Sequence, residues 1–185
     1  MNNRFDLHPI VAGLALLLLE ATSLARATTP AAPLAPASVE IAARYQAALH
    51  STYGEREGTV LRSYILDSTS EALWSAHGEC SLDLDIVLER AAPTHPTMKQ
   101  QLDNPALDPF RSAFVNGGAA LTGYVRGADG RTLATVKDEY FADQLPIVSA
   151  GKDPWSDARL AIGQFAAKLV KACSRQASTA DPPSH

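Results

Sequence analysis

Cysteine is nearly absent from this chain of 185 residues, occurring only at Cys80 and Cys173. Two thiols with no histidine beside either make half of a structural zinc set, so no metal centre is expected. They lack Cys-x-x-Cys spacing, which removes the usual redox pair. Basic residues are also short, 16 Lys+Arg against 20 Asp+Glu for a formal charge of −4. That excludes the basic stripe on which nucleic-acid binding relies. Long apolar runs are missing: the longest, Ile10 to Leu19, spans about 15 Å as a helix, half of a bilayer core. Catalytic signatures are missing as well. There is no His-Glu-x-x-His, no Gly-x-Ser-x-Gly elbow and no complete Ser-x-x-Lys set with its companion motifs. Ser149-Ala150-Gly151-Lys152 lacks the first Gly and the final Ser/Thr of a phosphate loop. No catalytic residue, cofactor or metal is therefore expected.

What the chain does carry begins with an export signal. Arg4 precedes the apolar run, Glu20 ends it, and Ala25-Arg26-Ala27 supplies the small-x-small pattern that signal peptidase reads. Cleavage after Ala27 removes residues 1–27. No cysteine follows the run to take a lipid, so a periplasmic protein without a transmembrane anchor after processing is expected. Residues 28–37 (TTPAAPLAPA) read as an extended Pro/Ala linker. Residues 38–175 read as a single domain, long enough to bury a core. Residues 176–185 read as a disordered polar tail.

Within 38–175 the periodicities alternate. Ser38 is a good N-cap, and Ile41, Tyr45, Ala48 and Leu49 follow on one helical face. Thr59 to Leu66 (TVLRSYIL) is β-branched and aromatic and reads as a strand. Ser68 with Glu71 suggests a capping box for a short helix to His77, ended by Gly78. From Glu79 to Glu89, Cys80, Leu82, Leu84, Ile86 and Leu88 alternate with polar residues, a strand with one buried face that Pro93 stops. Gly118–Arg126 and Arg131–Phe141 flank Gly127-Ala128-Asp129-Gly130, a hairpin signal. Leu133 and Val136 share a face only if a bulge intervenes. Asp153-Pro154 opens a last helix with Ala158, Ile162, Phe165, Ala166, Leu169 and Cys173 as one stripe. The expected fold is α+β, an antiparallel sheet of about four strands covered on one face by two longer helices.

Cys80 belongs to the inward set of the clearest strand and Cys173 to the inward stripe of the last helix. In an oxidising compartment two such thiols should form a disulfide; two separate buried thiols are the other arrangement the pattern allows. Asp83 and Asp85 share the wet face of the strand, about 7 Å apart, where solvated residues are the rule. Trp155 reads as the anchor of the last helix against the sheet. From Ala92 to Gly117 no periodicity is clear, and unstructured segments of that length are often functional. His95, Met98, Lys99, Phe110, Arg111 and Phe114 lie there, and aromatic residues and Arg are the types that anchor partners. His95, Phe110, Arg111 and Phe114 are the candidate partner-binding residues.

Ser81 to Met98 (SLDLDIVLERAAPTHPTM), the hairpin from Gly118 through Asp129-Gly130 to Ala134, and Asp153-Pro154-Trp155-Ser156-Asp157-Ala158-Arg159 follow one another in order. This succession resembles a bacterial family of lipoproteins known as domain of unknown function 3313, over roughly Ser81 to Ser174. The resemblance implies an exported α/β domain and no established activity. The chain departs from it in having no lipidation cysteine and in carrying the Cys80/Cys173 pair. The expected function is a non-enzymatic cell-envelope protein that binds another protein or a cell-wall component. The alternative is a periplasmic immunity protein or inhibitor neutralising a secreted toxin or hydrolase. A hydrolase or transferase using Asp83, Asp85 or His95 requires those side chains to converge.

Overall fold

The computed structural model describes residues 38–77, 79–108, 111–143 and 153–180. The leader, the linker and Gly78 lie outside those residues. The elements are β1 (Ser38–Ile41), α1 (Ala43–Ala48) continued by one π turn (Leu49–Tyr53), α2 (Glu57–Ser75), β2 (Asp83–Ala92), α3 (Met98–Asp103), β3 (Gly118–Arg126), β4 (Thr132–Phe141) and α4 (Ser156–Ala180). The fold is α+β: four strands in the order β1-β2-β3-β4 form one sheet, with α2 and α4 packed on one face. β2, β3 and β4 are antiparallel neighbours. β1 joins parallel to β2, with Val39 opposite Ile86 and Ile41 opposite Leu88, so the sheet is mixed.

Two local readings are corrected. Residues 38–41 do not start a helix, because pairing beside β2 buries Ile41 in the core. Residues 59–66 are not a strand but the first half of α2. Their buried positions, Gly58, Leu61, Ile65, Thr69 and Leu73, recur at helical spacing, and packing on α4 outweighs the β propensity of TVLRSYIL. Ser68 and Glu71 consequently fall inside α2 and cap nothing, and the Thr69 hydroxyl donates back to the Ile65 carbonyl at 2.7 Å.

The alternation in β2 is present but starts at Asp83, leaving Cys80 and Leu82 ahead of the strand. Leu84, Ile86 and Leu88 face the helices and are at most 2% exposed. At Glu89 the register with β3 shifts, so Arg90 turns outward and Ala91 returns to the core. A bulge makes that phase change possible without ending the strand. The register of β4, which the pattern left open, contains a bulge at its start: Val125 pairs with Ala134 and Arg126 with Thr132, which leaves Leu133 over. At the tip, Gly130 takes φ +77°, a left-handed conformation that glycine adopts without strain, and its N–H donates to Gly127 at 2.8 Å.

α4 carries the stripe that organises the core: Ala158, Ala161, Ile162, Phe165, Ala166, Leu169, Val170 and Cys173 are all buried. Each large apolar side chain fully removed from water contributes about 1.5–3 kcal/mol. Gly123 of β3 lets this stripe approach, since a Cβ there would lie 2.8 Å from Phe165 and from Leu169. Cys80 and Cys173 form a disulfide, with Cα atoms 5.3 Å apart, tying the approach to β2 to the second half of α4. The expected tail boundary moves, because α4 runs on through Ala180. Among the described residues no helix is long and apolar enough to cross a membrane.

Candidate functional site

The segment from Pro93 to Gly117 is anchored by its first residues. Residues 93–97 (PTHPT) are buried throughout. The Thr94 and His95 amides both donate to the Pro154 carbonyl, at 2.7 and 3.3 Å. The Thr94 hydroxyl accepts from the Asp157 amide at 3.2 Å, which satisfies one of the unpaired donors at the start of α4. The Thr94 carbonyl accepts from Phe114 at 2.7 Å, closing the segment on itself. Thr97 bonds the Tyr53 carbonyl at 2.8 Å and forms a capping box with Gln100, which starts α3.

The base of this segment is built by α4 and α2. Asp153 accepts from the Trp155 amide at 2.9 Å and from the Tyr64 hydroxyl at 2.9 Å. Trp155 is 1% exposed; its Nε1 donates to Glu57 at 2.6 Å and its ring meets Tyr53 edge-on at 5.4 Å. Trp155 thus anchors the helix start, but against Glu57 of α2 and Tyr53 of the π turn. Burial, followed by the bond to the Asp153 carboxylate, pushes the Tyr64 phenol up from 10.0 to about 12. Burial likewise raises Tyr45, whose hydroxyl donates to Ala91 at 2.8 Å. A folded-state value above the unfolded one means stability that is complete below pH 10 and lost as the pH climbs through about 12. Tyr64→Phe should flatten melting temperature against pH across that window; a profile identical to wild type would contradict this.

His95, expected among the partner-binding residues, is 4% exposed and so offers almost no surface. Its Nδ1 lies 3.0 Å from the Ser112 carbonyl; a carbonyl only accepts, so Nδ1 carries the proton there. Its Nε2 and Asp157 Oδ2 are buried with no hydrogen-bond partner among the described residues. Arg111 projects outward, its side chain 89% exposed and 3.9 Å from Asp108. Phe114 is half-buried, and Phe110 lies outside the described residues. The residues the sequence reading missed as a pair are Met98 and Leu102. They stand one turn apart on α3 and are 70% and 77% exposed. The capping box Thr97-x-x-Gln100 was the signal for that helix.

Asp83, Asp85 and His95 do not converge. β2 separates Asp83 from the start of the anchored segment by roughly 30 Å of extended chain. Asp85 is held by Ser38 at 3.0 Å and by Arg126. On the outer face of the sheet a groove of about 700 Å³ is lined by Arg44, Glu89, Arg90, Thr122, Lys137 and Glu139. Its charges largely pair with each other: Arg44 with Glu89 at 2.8 Å, Arg90 with Glu139 at 3.0 Å. Among the described residues no group of three or more His, Cys, Asp or Glu could hold a metal. Compared with known proteins, the chain matches no family model, no curated protein and no solved structure.

Proposed function

We propose that this chain is an exported, non-enzymatic cell-envelope protein that binds a protein partner through α3 and the segment around it. One observation carries the reading: Met98 and Leu102 are displayed, 70% and 77% exposed, on a helix whose base is tied into the start of α4. A fixed backbone support spares the cost of ordering a loose segment on docking, which favours the apolar side chains it displays as anchors. The Cys80–Cys173 bridge is in keeping with export to an oxidising compartment. The leader pattern and the resemblance to the lipoprotein family of unknown function belong to the same proposal.

Point variants test this better than removal of the segment, because removal would strip Thr94 and His95 from Pro154. Met98→Ser with Leu102→Ser should leave the melting temperature unchanged and reduce partner recovery from an envelope extract about tenfold or more, the effect of losing 1.4 kcal/mol of binding. Equal recovery by the folded double variant would sink the docking assignment. A mature chain beginning at Thr28 in the periplasmic fraction is expected; full-length chain confined to the cytosol would overturn the export reading.

A further inference from the structure

The sheet ends on two edge strands of unequal length: β1 has four residues and β4 has ten. Ala142, just past β4, turns its N–H to Gly117 and its carbonyl to Asn116, both at 2.9 Å. In an antiparallel ladder that direction alternates from residue to residue. The β3–β4 register is unbroken from Phe141 back to Ala134. Thr135, Lys137, Glu139 and Phe141 therefore aim their N–H and carbonyl groups away from β3, and no other described strand takes them up.

Edge strands are usually blunted by proline, bulges, edge lysines or inward-pointing charges, and β4 carries the last two in Lys137 and in Asp138, which faces Lys168 of α4. β4 contains no proline, and its bulge at Leu133 lies at the hairpin end. Its charges run Lys137-Asp138-Glu139, a pattern that selects one way of pairing with itself. Centring a two-fold axis on Lys137 or Glu139 opposes like charges. Centring it on Asp138 places Lys137 opposite Glu139 of a second copy, twice, and joins outward-facing residues to outward-facing residues. Val136 then meets Tyr140, which is 36% exposed. The two Asp138 carboxylates come opposite one another, but each is already held by Lys168 at 2.6 Å. Lys137 makes no ion pair among the described residues, and Glu139, bound to Arg90 through Oε1, keeps its second oxygen available.

We propose that β4 is a self-pairing edge: two copies of this chain join antiparallel about Asp138 into one continuous eight-stranded sheet, with about eight interchain main-chain hydrogen bonds and an isologous interface. Opposite charges directly across such a pair stabilise it and like charges oppose it.

Sedimentation of the intact protein tests the register. Wild type should form dimers at micromolar concentration. Lys137→Glu sets Glu against Glu at both contacts and should weaken association about tenfold. Glu139→Lys should weaken it similarly, and an equimolar mixture of the two variants should restore dimers, since each mixed pair regains both opposite-charge contacts. Both positions are on the surface, so melting curves should stay close to wild type. A wild type that is monomeric throughout, single variants that dimerise like wild type, or a mixture that fails to recover would each overturn the proposal.

Discussion

Replacing both Cys80 and Cys173 by alanine is expected to lower the unfolding free energy by about 3–5 kcal/mol. The two residues are 93 positions apart, so the bridge restricts a long loop in the unfolded chain, and the entropic gain rises with loop length. In the folded state the bridge fastens the second half of α4 to the segment that leads into β2. For a domain of this size the loss corresponds to a fall in melting temperature of roughly 10–15 °C. Reductant strong enough to open the buried bridge should reproduce the shift in wild type and leave the double variant unaffected. A double variant melting at the wild-type temperature would show that the bridge adds nothing to the fold.

Trp155→Ala should cost about as much, roughly 3–5 kcal/mol, because it removes a large buried ring and leaves a cavity. Trp155 is 1% exposed, its indole donates to Glu57, and its ring stands against Tyr53. Trp155→Phe keeps most of the volume and loses the donor, leaving Glu57 without that bond, so a smaller loss of about 1–3 kcal/mol is expected. The alanine variant should also loosen the segment that carries α3, since Thr94 and His95 bond the Pro154 carbonyl next to Trp155. Hydrogen exchange at the Thr94, His95 and Phe114 amides reads that loosening directly. A Trp155→Ala protein with wild-type stability and unchanged protection at those amides would refute this account.

The elements legible in the sequence were those whose pattern is set by one face against water. β2 alternates because it has helices on one side and solvent on the other. α4 shows a stripe because one side packs on the sheet. The Gly127–Gly130 turn was readable from backbone chemistry alone. The disulfide followed from placing Cys80 and Cys173 in two inward patterns established without reference to each other. The segment from Ala92 to Gly117 was recognisable as unusual, but α3 and its capping box were not expected within it. What failed were residues 38–41 and 59–66, where residue preference and the preceding helical pattern pointed to the wrong element. β1 is a strand because β2 is beside it, and α2 is a helix because α4 and the sheet bury Leu61, Ile65 and Leu73.

The candidate site divides the same way. That Met98 and Leu102 share a face follows from their spacing of four residues. That this face is exposed does not follow from the spacing, nor does the burial of His95 beneath the start of α4, far along the chain from it. Local spacing and residue type determined the α+β class, the hairpin, the last helix and the inward direction of both cysteines, because these depend on neighbours within a few residues. The parallel placement of β1, the helical state of residues 57–75, the burial of His95 and the exposure of Met98 and Leu102 were decided by contacts between distant parts of the chain. Burial is a property of the assembled core, and no short stretch of sequence contains both sides of such a contact.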